Sequence, residues 1–536
     1  MADRIVGFAE DGSGPARRRR FHPQRIAAST RGMIATAHDA ATQAGLSAFA
    51  AGGNAMDAAA AAAFALGVCE PAASGLGGQT MILLRNGTTH RTIAVDGSSR
   101  APHRAAPGTI PRAARRRGHL AATVPSTPAV LAHLLRRYGK LGWNQILAPA
   151  IELAETGYRM SPLQQALTRR ELDALRQGSA GRYLLQPDGR PYRAGAVLRQ
   201  PVLAATLRRL AGAGMEDFYI GEIGAAIHAD MERHGGLIRR DDLSQIPWPV
   251  ERRPVSCRFG PLRVVTFPPP GAGRTLVEML NILANFPQRA AIPDTPEGAL
   301  LLCEVIRRAF LDRRDRPHDP NLYPQVDKRR MVSIEYARKV ARQIRRDLGG
   351  HGETTHLSAM DAEGNVVALT QSIESVYGSG EAADGLGFLY NNYMHAFEYR
   401  DISHPYYLRP NAVPWASVAP TIVFRGRRPW LAIGSPGSQR ITPSILQVLL
   451  RLESEPPLEA VAAPRLHCSL KKKVSLEAAR MRSDIPEALE RRGYRLDVRE
   501  PYSFYLGCVQ LVLRQGRRLV GVADPRRDGS AGGPRE

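Results

Sequence analysis

Cysteine is scarce and poorly placed for cross-linking. The 536-residue chain carries five, Cys69, Cys257, Cys303, Cys468 and Cys508. They are odd in number, far apart and without a CxxC pair, which excludes a disulfide framework and a thiolate zinc site and fits reduced thiols. Long apolar runs are missing as well. No stretch of roughly 18 apolar residues occurs, and the opening MADRIVGFAEDGSGPARRRR holds no apolar core segment. Neither a membrane span nor an export signal is therefore expected, and a cytoplasmic location is the default. Internal repeats and a GxSxG nucleophile elbow are also absent, and low complexity is confined to an Ala-rich segment and basic tails.

What is present is an ordinary globular composition, 43% hydrophobic and 23% charged, which excludes collagen, coiled-coil and disordered classes. The formal charge is +23. Such an excess can mark a phosphate-binding face. Here, however, arginines are scattered through every segment, and the clusters at 17–20 and 115–117 fall in Gly/Pro-rich or polar connecting sequence. Scatter points to a solvated surface rather than a nucleic-acid partner.

Along the chain, residues 37–68 read as an αα-hairpin with Asn54 as the second N-cap. Glu70-Pro71 ends it, a loop with three glycines follows, and Met81 to Leu84 form a strand running into a turn at Asn86-Gly87. Periodic apolar positions predict helices over 129–138, 143–156, 224–234 and 299–311. Beyond Thr355 the pattern switches to period 2. Leu357, Ala359, Val367 and Leu369 flank a Glu363-Gly364-Asn365 turn as a β-hairpin, with further strands at 420–424, 430–433 and 509–513 and helices at 442–452 and 484–492. An α/β sandwich with helices outside two sheets follows.

The segment His351-Gly-Glu-Thr-Thr-His356 looks superficially like a zinc-protease motif. A metal site of that kind needs two histidines four apart on a helix with Glu directly after the first. Spacing and residues both fail, and Gly352 with two β-branched threonines disfavours helix. Locally, Thr354 and Thr355 open a strand after a polar segment. The functional alternative is cleavage of the Glu353–Thr354 bond, which would make Thr354 a chain terminus whose own α-amine acts as base for its weakly nucleophilic hydroxyl.

From about residue 30 to residue 530 the chain resembles the γ-glutamyltranspeptidase family. Gly52-Gly53-Asn54-Ala55-Met56-Asp57-Ala58-Ala59, Glu70-Pro71 with Ser74-Gly75-Leu76-Gly77-Gly78, Val124-Pro125-Ser126-Thr127-Pro128, Tyr138-Gly139-Lys140-Leu141 and Phe267-Pro268-Pro269-Pro270 are similar to its large-subunit motifs. Thr354-Thr355-His356-Leu357-Ser358, Asn391-Asn392, Gly434-Ser435-Pro436-Gly437 and Ala463-Pro464-Arg465 continue the match in order. The resemblance implies an αββα N-terminal-nucleophile hydrolase made as a proenzyme. Residues 1–353 would give the large subunit and 354–536 the small one, and the processed pair could itself pair. It further implies Thr354 as nucleophile, Ser372 as the hydroxyl beside it, and the N–H groups of Gly437 and Ser438 as an oxyanion hole. No cofactor or metal is implied. Left to themselves, Gly437 also reads as a turn glycine and Ser372 as an ordinary strand hydroxyl.

The substrate pocket departs from the family pattern. After Asp96 the family commonly places an arginine two residues on for the substrate α-carboxylate; here that position is Ser98, and Arg100 either reaches the same place or faces solvent. Glu374 replaces an asparagine, on the same strand face as Ser372 by period-2 spacing. Tyr393-Met394-His395-Ala396 replaces Gln-Met-Asp-Asp, and Ser417 remains from a serine pair. Tyr377 and Tyr393 read either as walls of a flatter acyl pocket or as core. The segment 398–413 is short for a lid loop and leaves a more open cleft. The expected function is an autoprocessing threonine hydrolase or acyltransferase on a small amide. A glutathione-like γ-glutamyl compound is the default substrate. The alternatives are a non-γ-glutamyl amide, a carbon–carbon bond cleaved beside a carbonyl, and a non-catalytic relative.

Overall fold

The computed structural model describes residues 24–287, 289–315 and 354–535. Helix α1 (Asp39–Ala50) and helix α2 (Ala55–Cys69) form the expected hairpin. Side chains build its turn. Asn54 Oδ1 accepts from the amides of Met56 and Asp57, and Asp57 accepts in return from Asn54 N at 2.8 Å, a capping box that satisfies the first free amides of α2. The Asp57 carboxylate also takes the amides of Lys140 and Leu141, while Asn54 Nδ2 donates to Tyr138 O. The two sequence signatures at 52–59 and 138–141 are therefore halves of one clamp. Apolar on all sides, α2 is buried along its length, as a helix without a polar face must be.

Two antiparallel seven-stranded sheets stack face to face. The first runs Ser530–Gly532, Gly32–Thr36, Thr355–Asp361, Val366–Ser372, Gln79–Arg85, Thr92–Gly97, Val250–Arg252. The second runs Ile26–Ser29, Arg518–Ala523, Gln510–Gln515, Arg428–Gly434, Thr421–Arg425, Leu262–Thr266, Val255–Phe259. Period 2 sorts their side chains. Leu357, Ala359, Val367 and Leu369 pack against α1 and α2. Their alternates Met360, Val366 and Ala368, with Met81 and Leu83, meet Val265, Phe267 and Ile422 of the facing sheet. The outer face of that second sheet is closed by the helices Gly273–Leu283, Pro296–Asp315 and Ile441–Arg451. These four layers make the expected αββα sandwich.

Several predicted elements shift at their ends. The helix expected at 224–234 is Glu222–Arg233, that at 299–311 is Pro296–Asp315, and the strand expected from 420 starts at Thr421, because Pro420 has no N–H for a ladder. Among the described residues no helix is long and apolar enough to cross a membrane.

Candidate active site

One transverse row of side chains defines the site. The Thr355–Gln371 pair, continued one residue outward, sets Thr354 opposite Ser372. Ser372 in turn pairs with Gln79. One step beyond the Thr80–Gly97 pair sets Gln79 opposite Ser98. Paired residues share a face, and here it is the gap between the sheets, since Thr354, His356, Ser358 and Met360 alternate with the helix-facing Thr355, Leu357 and Ala359. At about 4.8 Å per strand, Ser98 lies three strands from Thr354, on the order of 14 Å.

Thr354 is buried and its backbone is fixed from the far end of the chain. Arg527 Nη2 donates to Thr354 O at 2.8 Å, and its other nitrogen, Nη1, is paired with Glu70. Glu70 also accepts from Thr355 Oγ1 at 2.6 Å. Arg25 Nη1 holds Arg527 by its carbonyl at 2.6 Å. Glu70, directly after α2, thus braces the strand that Thr354 opens. Sequence reading noted Glu70-Pro71 as a helix stop and a family motif without a role for Glu70, and missed Arg527 altogether, because no local spacing connects residues 70, 354 and 527.

Beside Thr354, the Ser372 hydroxyl accepts from Glu374 N at 2.8 Å, and the Tyr393 hydroxyl lies within hydrogen-bonding reach of Ser372, Gln79 and Glu374. Burial and the Glu374 charge push the Tyr393 phenol well up, so it stays protonated and available as a donor. The period-2 placement of Glu374 is corrected. The strand ends at Ser372 and Glu374 has φ +76°, so a left-handed turn, not pleating, brings it back to the hydroxyl. His395 Nε2 lies 3.4 Å from Glu374 Oε1 while its Nδ1 lies 2.7 Å from Asn392 O. Burial opposes a charge on His395, but the Glu374 hydrogen bond and charge outweigh it and raise its pKa.

The facing sheet supplies the loop after Arg428–Gly434. Gly434 has to be glycine, since a Cβ there would fall 2.2 Å from the His356 ring. Gly437 and Ser438 follow with φ +114° and +46°, and Ser435 Oγ accepts from Cys508 N at 3.0 Å to pin the loop. Among the described residues, no backbone acceptor uses the N–H groups of Gly437 and Ser438. They precede the helix Ile441–Arg451, whose dipole favours negative charge at that end.

Other predicted residues lie elsewhere. Arg100, half-buried and tied through its backbone to Val124, lines a separate cavity of about 300 Å³ with His103, Asp242 and Trp248. Asp96 is itself taken by Ser98 Oγ at 2.6 Å and Arg252 Nε at 2.7 Å. Tyr377 is core, its hydroxyl paired with Thr168 Oγ1 at 2.7 Å. Ser417 is half-buried, and among the described residues no hydrogen bond joins it to the row. His356 is filler between the sheets. Its nitrogens meet Thr370 and Ser358 at 2.8 and 3.1 Å, and burial lowers its pKa to about 3. His351 and Glu353 lie outside the described residues.

The γ-glutamyltranspeptidase family model matches residues 41–533. The chain is 30% identical to the glutathione hydrolase proenzyme of Escherichia coli K12, over 94% of this chain and 92% of that one. It is 33% identical to the acylase ACY 1 proenzyme of Pseudomonas sp. strain V22, over 95% and 94%. The crystal structure of the cephalosporin acylase from Bacillus halodurans superposes with a TM-score of 0.88 at 30% identity, over 99% of this chain and 100% of that one. Two stacked sheets between helical layers, shared with that acylase, define an N-terminal-nucleophile hydrolase. The chain belongs to the γ-glutamyltranspeptidase family of autoprocessing hydrolases and transferases.

Proposed function

We propose that Thr354 is the nucleophile of an amide hydrolase or acyltransferase whose acyl group is not γ-glutamyl. In the precursor, Thr354 Oγ1 attacks the carbonyl of residue 353. The O–C bond forms, the C–N bond breaks, and water then hydrolyses the ester, giving subunits 1–353 and 354–536 and a free α-amine. In turnover that amine takes the hydroxyl proton as Oγ1 adds to the substrate carbonyl, and the N–H groups of Gly437 and Ser438 receive the developing oxyanion. The proton then passes to the leaving amine. Water or an amine acceptor releases the acyl group. Ser372 and Tyr393 orient the hydroxyl end of this constellation, and Arg527 with Glu70 hold its backbone.

The observation that carries the substrate reading is the serine at the end of the row. Ser98 stands where the family commonly has an arginine, the Arg252 guanidinium beside it is already paired with Asp96, which also accepts from Ser98 Oγ, and a serine cannot replace a bidentate carboxylate partner. The whole-length likeness to two acylases agrees with this. A γ-glutamyl substrate is the second reading, favoured by Glu374 as a counter-charge for an ammonium group.

Intact mass of wild type and Thr354→Ala is the test of mechanism, with fragments 1–353 and 354–536 expected in wild type alone. Intact wild type would overturn the nucleophile assignment. A γ-glutamyl anilide matched against a simple acyl anilide without the carboxylate then tests the pocket. Release only from the γ-glutamyl compound would return the enzyme to that specificity.

A further inference from the structure

Among the described residues, one trio of potential metal ligands converges away from Thr354: His119, Asp230 and His234. His119 comes from a short turn, while Asp230 and His234 lie four apart at the end of the helix Glu222–Arg233. One donor atom from each lies within 4.8 Å of the others. His119 Nε2 is 3.4 Å from Asp230 Oδ2, and His234 Nδ1 is 3.1 Å from Asp230 Oδ1. A tetrahedral ion about 2.1 Å from each donor requires donors roughly 3.4 Å apart.

The trio is also under-satisfied. His119 is 8% and Asp230 2% exposed, yet neither His119 Nε2 nor Asp230 Oδ1 has a hydrogen bond of acceptable geometry. Leaving two such atoms unpaired is costly unless something else bonds them. The two imidazoles stack with centroids 4.6 Å apart, which brings both rings to the same side of Asp230. Tyr390 Oη donates to Asp230 Oδ2 at 2.9 Å, the kind of outer contact that orients a ligating carboxylate. Access exists, because His119 and His234 line a cavity of about 1240 Å³.

We propose that His119, Asp230 and His234 form a binding site for one divalent transition-metal ion such as Zn²⁺. Two imidazoles and a carboxylate suit Zn²⁺, Co²⁺ or Ni²⁺ and disfavour the harder Mg²⁺ and Ca²⁺. His234 Nδ1, which also lies 2.9 Å from Asp230 O, gives up that contact to complete the set. The ion joins the turn at 119 to the helix Glu222–Arg233. Through Tyr390 it also steadies the segment leading to Asn391, Asn392 and Tyr393, so it acts on the site by bracing its wall rather than by chemistry. No spacing motif spans residues 119 and 234, so only the fold brings these donors together.

The test uses full-length protein stripped with chelator, both wild type and the Thr354→Ala variant, titrated with Zn²⁺ by calorimetry and with Co²⁺ by its d–d absorption. One equivalent is expected in each, together with a rise in Tm. His119→Ala and His234→Ala should each weaken binding at least about 10-fold, and Tyr390→Phe about 10- to 100-fold. His228→Ala, on the same helix, should leave it unchanged. Should Asp230→Asn fail to fold, the rim variant His234→Ala still decides. No uptake, or uptake that His119→Ala and His234→Ala leave unaltered, overturns the proposal.

Discussion

At the scale of single residues, the site separates groups that act on substrate from groups that hold them. In the proposed reading Ser98 is of the first kind. Ser98→Arg would return a cation to the end of the row, next to Asp96. A new charge-assisted pair is worth about 1.5–3 kcal/mol, so KM for a γ-glutamyl anilide should fall roughly 10- to 100-fold while Thr354 processing is unchanged. An unaltered KM would show that the carboxylate binds elsewhere. Arg527 is of the second kind. In Arg527→Gln the Thr354 carbonyl loses its donor and buried Glu70 loses its cation, a loss of about 3–5 kcal/mol when only one partner of a buried pair is removed. Fragment formation should slow at least about tenfold by gel densitometry. The Glu70→Gln/Arg527→Gln double variant should be less impaired than the sum of the single variants, since the pair acts as a unit.

Elements are positioned by side chains that the family motifs already contain. The Asn54–Asp57 box starts α2, and the same Asp57 carboxylate fixes the 138–141 loop. Because α2 ends at Glu70, its N-terminal cap and the brace on Thr354 belong to one rigid rod. Asp57→Ala should remove a cap worth about 1 kcal/mol and leave loop amides unpaired at about 1–3 kcal/mol. A urea midpoint shift corresponding to about 2–4 kcal/mol is expected, and a shift below about 0.5 kcal/mol would show that the clamp is dispensable.

Across the whole molecule, burial of ionisable groups sets the acid limit of stability. His356 lies in the gap between the sheets with its pKa lowered to about 3. Between the unfolded value near 6.5 and that value, the unfolded chain binds a proton that the folded chain refuses. This term is therefore fully favourable above about 6.5, and stability drains by up to about 1.4 kcal/mol per pH unit as pH falls. Asp524 acts in the same direction at lower pH. Burial opposes its charge, but Arg465 and Arg526 outweigh that and depress its pKa, so its contribution holds above the usual carboxylate range and is lost below it. Denaturation midpoints taken from pH 7 to pH 4 should fall less steeply in His356→Gln than in wild type. Parallel slopes would remove His356 as the cause.

Period 2 in the 355–371 hairpin, the Ala-rich pair of helices and the capping residue Asn54 were all legible in the sequence, because each is dictated by neighbours within a few positions. So was Thr354 at the start of a strand, once its motif was seen among the others in order. What the sequence could not decide were partners across the sandwich. Glu374 reaches Ser372 through a left-handed turn rather than strand alternation, and Tyr393 and Tyr377, alike as buried aromatics, divide into site and core only by what their hydroxyls meet. Arg100 lines a separate cavity with Asp242 and Trp248, and Arg527 reaches Thr354 from the other end of the chain. Local propensity and periodicity determined the elements and the place of Thr354 at the head of a strand. Sheet register and the pairing of buried charges over hundreds of residues, which depend on burial and not on sequence spacing, decided the pocket.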